Sequence, residues 1–306
     1  MKNTKRILTT AVFVIFACAV SILPASASSK LVKIATATSK STTFYQDMTG
    51  DGRPDKIRLK ITTTKDLDRI KKAVFFVNDQ KALVVKPKIT YDISVNYIQM
   101  DEKKEFLEII CHSDDGYKPT HAIYRYNNNA QKLDCVLDFT TVARGSAQEV
   151  TGVTSNEIQV SHHIQPAETG WIGWDYIYRF RSNRFSLKSK TADVHSELTY
   201  ETGDGLTQNF KQNQFLTANR RTFYKNTSRT APIFQAEKGD MLTLKKIRTR
   251  DKDIFLQFQK GNKKGWQKVM NTDVYDYDSA DYASSGWFFG VYHRLAGEFT
   301  FRQYSN

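Results

Sequence analysis

The sequence predicts an all-β protein, and three observations carry that expectation. β-branched and aromatic residues alternate with polar ones in runs bounded by Asn, Asp and Gly, as in AVFFVNDQKALVV, HAIYRYNNNAQKLDCVL and DYIYRFRSNRFSLK. Each stretch reads as a β-hairpin, with a polar turn between two apolar runs. The hairpins also recur: Phe76, Tyr124 and Tyr178 stand at matching points, 48 and 54 residues apart. A shorter strand precedes each one (DKIRLKI, LEIICHS, NEIQVSH), and its Ile57, Ile109 or Ile158 lies 52 or 49 residues from the next. Finally, a helix is expected at only one short place in the mature chain, Asp66 to Lys72.

In chain order, residues 1–27 stand apart from the fold. Lys2, Lys5 and Arg6 precede an apolar run from Ile7 to Leu23, and PASAS follows with small residues at Ala25 and Ala27. That is the pattern of a cleaved secretory signal peptide; Pro24 and the cleavage signal argue against a membrane anchor. The expectation is a secreted, extracellular protein with no membrane span in the mature chain. Of 45 Lys and Arg against 32 Asp and Glu, cleavage leaves 42 and 32. A basic secreted chain meets anionic wall polymers, lipid headgroups or polysaccharide sooner than nucleic acid. The same charge also serves solubility alone.

Residues 28–188 hold the three repeats. A period near 50 residues with three or more strands per unit is blade-like, but three units are fewer than the four to eight of a closed propeller. The region is therefore an open, propeller-like stack or a β-sandwich. Cys111 and Cys135 fall on the first and third strands of one meander, roughly 9.6 Å apart. That exceeds disulfide reach, so both are expected as buried apolar thiols. Residues 189–213 are polar and read as a linker; residues 214–306 form a second β-rich region.

One loop in the first unit carries chemistry. In QDMTGDGRPDK, Asp47, Thr49 and Asp51 occupy alternate positions, Gly52 allows a sharp turn, Arg53 offers a main-chain carbonyl, and Asp55 comes next. Oxygens at that spacing suit a hard cation such as calcium. An EF-hand requires Glu at the twelfth position, where Arg58 stands, and a helix where a strand follows. An Asp- and Gly-rich turn that binds nothing is the competing reading. In the second unit QMDEKKEFLEI keeps only Asp101 and Glu108 among added lysines, and the third unit lacks an acidic set. The loop resembles the calcium loops of FG-GAP and integrin-type β repeats, with Thr49 in place of Asp or Asn. The resemblance implies one bound calcium that holds the hairpin.

The C-terminal region, with AEKGDMLTLKKI, IFLQFQKGNKKGWQKV and Trp287 in SGWFFGV, resembles the bacterial Src-homology-3-like barrels of secreted wall proteins over residues 214–295. That resemblance implies an aromatic groove for a cell-wall polymer or a surface peptide or glycan. Tyr224, Trp266, Trp287, Phe289 and Tyr292 are its candidate lining; burial in a core is the competing assignment. The acidic run DVYDYDSADY, without glycine or ordered spacing, reads as a solvated loop.

No H-E-x-x-H, G-x-S-x-G or P-loop pattern is present. Cys111 beside His112 is not a nucleophile and base, because neighbours on a strand point to opposite faces. The expected function is a calcium-stabilised, non-catalytic binding protein at a cell surface. The alternative is a hydrolase of wall or glycan with an unrecognised active site.

Overall fold

The computed structural model describes residues 29–64, 69–101, 103–114, 118–141, 147–164, 169, 172–201, 207–211, 213–250 and 253–269. It also describes three short strands near the C-terminus. Residues 1–27, expected from the sequence to be a signal peptide, lie outside the described residues.

The first half is three antiparallel meanders. Sheet one runs β2 (Thr42–Gln46), β3 (Asp55–Thr63), β4 (Ile70–Val77), β5 (Gln80–Val85). Sheet two adds β1 (Lys30–Thr38) to the edge of β6 (Asp92–Asp101), then β7 (Lys104–His112), β8 (Thr120–Asn127), β9 (Lys132–Asp138). Sheet three runs β10 (Ala147–Val153), β11 (Glu157–Ile164), β12 (Ile172–Arg181), β13 (Arg184–Leu187). The three expected hairpins are present as β4–β5, β8–β9 and β12–β13. Two of them close on two-residue turns with both residues at positive φ, Asn78 and Asp79 (47° and 64°) and Ser182 and Asn183 (48° and 62°). That conformation matches the right-handed twist of the strands, and Asn and Asp tolerate it best.

Side-chain alternation sorts the sheets into layers. On β11 and β12 every second residue is buried, including Ile158, Val160, Trp174, Tyr176 and Tyr178. Sheet three therefore has one packed face. On β7, by contrast, Glu105 to Cys111 are all buried, as befits a strand covered on both sides. Leu107, Ile109 and Cys111 pack with Ile57, Leu59 and Phe75 of sheet one. Phe106 packs instead with sheet three, its ring 4.9 Å from Phe180 and 5.2 Å from Phe185. Sheet two is thus the middle layer.

The chain continues through β14 (Thr191–Asp193), β15 (Glu197–Glu201), β16 (Thr207–Lys211), β17 (Gln214–Thr217), β18 (Arg221–Tyr224) and β19 (Pro232–Ala236). It ends with β20 (Met241–Arg250), β21 (Asp253–Lys260), β22 (Lys263–Val269), β23 (Phe288–Gly290), β24 (Tyr292–Arg294) and β25 (Phe299–Thr300). The main C-terminal sheet has the order β19-β18-β22-β21-β20-β17-β23, with β14 also on β20; β15, β16, β24 and β25 form a small separate sheet. Neither closes into a barrel among the described strands. Phe215, Leu242, Ile247, Leu256 and Phe258 join the same core cluster as sheet three. Tyr176 crosses that junction, its hydroxyl donating to the Lys190 carbonyl at 3.1 Å and lying 2.9 Å from Thr249 Oγ1.

Three expectations need correction. Ile70 to Lys72 are strand, not helix: Ile70 is buried and pairs with Thr63, and its N–H donates to the Thr90 carbonyl; residues 65–68 lie outside the described residues. The segment read as a linker, 189–213, carries β14, β15 and β16. Backbone pairing supplies what large apolar side chains do not, with Thr191 to Asp193 laid along Arg248 to Lys246. Cys111 and Cys135 are free thiols, and Cys135 is exposed rather than buried. A register shift opposite Ile123 and Tyr124 turns Val136 and Leu137 inward and Cys135 outward. No helix among the described residues is long and apolar enough to cross a membrane.

Candidate functional site

The loop before β3 is built by its own carboxylates. Gly50 and Gly52 adopt positive φ, 72° and 83°, which curls the chain so that its N–H groups converge. Asp47 Oδ1 accepts from Gly50 N–H and Oδ2 from Gly52 N–H, at 2.7 and 2.8 Å. Asp51 accepts from Arg53 N–H. Asp55 is almost fully buried and accepts from Met48 and Thr49 N–H and from the Asn78 amide. Asp55 is therefore a staple between the loop and the β4–β5 turn.

Sheet two grips the same loop. The Tyr97 hydroxyl donates to the Asp47 carbonyl at 2.9 Å, and the Asn128 amide to the Thr49 carbonyl at 2.9 Å. Glu105 shares the β7 face of Leu107 and Ile109, which packs on sheet one. Its carboxyl is pushed up to about 7, first by burial and then by the charge of Asp47. Tyr97 is raised by burial and by Glu105, Asp47 and Asp55. Glu105 Oε1 and Thr49 Oγ1 are both buried with no hydrogen-bond partner among the described residues.

These observations decide which residues suit a cation. Asp47, the Thr49 hydroxyl and Asp51 remain candidate oxygen donors, and buried Glu105 joins them from the second unit. Asp55 is the poorer donor because it is almost fully buried and takes three hydrogen bonds, against two on the more open Asp47, and the exposed Arg53 enters through its main chain at most. No group of three or more acidic, His or Cys side chains converges as a ready-made metal site among the described residues. The set fits a weakly held hard cation and not a transition metal. A linear motif search misses Glu105, which lies 58 residues beyond Asp47. Strand alternation on β7 was the available signal.

The aromatic residues expected to line one groove are spread out. Tyr224 on β18 is the cross-strand partner of Trp266 on β22. Trp266 is buried, while Tyr224 is half-buried beneath the Arg229 guanidinium, 5.0 Å from its centroid. Phe289 stands on β23, at the opposite edge of that sheet, and Tyr292 on β24 in the small sheet. Trp287 and the acidic run 273–282 lie outside the described residues.

An open cleft of about 680 Å³ lies where sheet three meets β14, lined by Asp175, Ile177, Lys188, Thr191 and His195 among others. His195 Nε2 is 3.2 Å from Asp175 Oδ2, which also accepts from the Gln159 amide. The ring turns its Nδ1 edge toward Gly173, where a β-carbon would stand 2.9 Å from Nδ1. Both nitrogens thus face protein rather than the cleft, a structural placement and not that of a general base. Burial pushes the Cys111 thiol up to about 12, the reverse of an activated nucleophile.

His162 is a core residue. Its ring stacks on Trp174 at 5.4 Å, with Nε2 3.1 Å from the Tyr178 hydroxyl. Burial pulls its pKa from 6.5 down to about 3. The unfolded chain therefore binds a proton in this range where the native state does not. Stability is intact above about 6.5 and falls as pH drops toward 3, by up to about 1.4 kcal/mol per pH unit. Urea unfolding across this range should show that slope, and His162→Phe should reduce it to the part left by His163, which burial pulls down to about 4. An unchanged slope would remove His162 as its source.

The chain matches no family model, no curated protein and no solved structure in comparisons with known proteins.

Proposed function

We propose that this is a secreted, non-catalytic binding protein in which an open, propeller-like stack of three meanders presents its surface to an anionic cell-wall polymer. In this proposal the C-terminal sheet is an elaborated relative of Src-homology-3-like barrels. Calcium at the first loop ties sheet one to sheet two. The observation that carries the calcium part is the pair of orphaned buried oxygens, Thr49 Oγ1 and Glu105 Oε1, because each costs free energy unless something satisfies it. The stacking is consistent with blades: β10 lies against β6, and β9 lies between β5 and β13, so strands of equal rank adjoin.

Calcium at millimolar concentration is expected to raise Tm by several degrees over a chelator control. Asp47→Asn and Glu105→Gln should each abolish that shift, whereas Asp55→Asn should lower Tm equally in both conditions. Identical melting with calcium and with chelator would leave the loop a metal-free turn. For the binding part, the mature chain should be retained on purified cell wall and released by salt. No retention, with or without calcium, would sink it.

A further inference from the structure

We propose that the outward face of sheet one is the contact surface for an acidic glycan, an assignment that rests on the reading of the protein as a binder of anionic surface polymer. Ile57 and Leu59 point into the core, so Lys56, Arg58 and Lys60 between them stand on the other face. The pairing sets Tyr45 beside Lys56, Phe76 beside Arg58, and Lys72 beside Thr62. Lys81 on β5 pairs with Phe76. The β3 cations thus stand roughly 6.8 Å apart along the strand, and Arg58 and Lys81 flank Phe76 at about two strand spacings, roughly 9.6 Å. Lys60, Lys72 and Lys81 are exposed and make no ion pair among the described residues.

Among the described residues, one acid pairs with the cations of this face. Asp79, in the β4–β5 turn, meets Lys56 and Arg58 at 3.4 Å each with its side chain 60% exposed. Such long, solvated pairs contribute little and exchange readily for a ligand's anion. Arg58 Nε is buried without a partner, and its guanidinium covers the Phe76 ring at 4.5 Å. Tyr45, 61% exposed, and Val84, 39% exposed, add apolar surface to the same face. Flat apolar rings take the C–H face of a sugar while flanking cations take its carboxylates. The outer face of sheet three lacks this complementarity, since Glu157 and Asp175 stand among its cations. A flat sheet face also has no protruding apolar segment to insert into a bilayer.

The test measures binding of the mature chain to polygalacturonate, with uncharged dextran as control. Lys60→Glu/Lys72→Glu is compared with Lys238→Glu/Lys263→Glu, a charge-matched pair of exposed lysines, one in the β19–β20 turn and one on β22. The first pair should weaken binding about tenfold or more at low salt, and the second should leave it within about twofold. Tyr45→Ala should weaken it several-fold. Equal effects of the two pairs, no wild-type binding, or tighter binding to anionic vesicles or single-stranded DNA would overturn the assignment. Wall retention indifferent to Lys60→Glu/Lys72→Glu would reject this surface and leave wall binding standing. Polygalacturonate binding without wall retention would do the reverse.

Discussion

Glu108→Ala is expected to destabilise the protein by about 3–5 kcal/mol, the largest single effect at a polar site. The Glu108 side chain is fully buried on β7, and its oxygens serve three donors. Oε2 accepts from the Asn96 amide at 2.6 Å, and Oε1 from His121 Nε2 at 2.8 Å and Val150 N–H at 3.1 Å. The donors come from β6 and β8 on either side and from β10 of the next sheet, so one carboxylate joins sheets two and three. His121 has an oxygen beside each nitrogen, with the Ala147 carbonyl 3.3 Å from Nδ1. Truncation strands all three donors without water. Glu108→Gln keeps one acceptor and should cost about 1–3 kcal/mol. The double variant with His121→Ala should cost less than the sum of the singles, because a shared network couples its members. Denaturant unfolding measures each; a loss below about 1 kcal/mol for Glu108→Ala would show that the network contributes little.

Phe106→Ala should cost a similar amount, about 3–5 kcal/mol, through an apolar route. The ring is fully buried between Phe180 and Phe185, edge-on to the first, so truncation opens a cavity at the interface of two sheets and removes both aromatic contacts. Phe106→Leu should lose roughly half as much, since most of the volume is kept. Hydrogen exchange should show β12 and β13 losing protection more than β3 and β4, which lie across the other face of sheet two. Uniform loss across all sheets would mean that the stack unfolds as one unit.

Strands and tight turns were legible because both are set within a few residues. Asn78-Asp79 and Ser182-Asn183 adopt the positive φ that a two-residue turn between twisted strands demands, and alternation along β11 and β12 marks one buried face. Errors arose where a neighbour supplied the stabilisation. Ile70 is strand because β3 pairs with it, β14 is strand because β20 pairs with it, and Cys135 faces solvent because of a bulge against β8.

The candidate cation loop divides the same way. The sequence by itself determined its turn: two glycines and alternating acids wrap the backbone onto Asp47 and Asp51 with no outside help. Only the tertiary structure decided what the acids are used for. It withdrew Asp55 to pin Asn78, 23 positions away, and brought Tyr97 from 50 positions away onto Asp47. It also turned Glu105, in a segment that reads as a degenerate second loop, toward the first. The physical reason is range. Dihedral preferences and turn hydrogen bonds act over a few residues, whereas the choice of which faces stack follows from apolar burial summed over whole sheets.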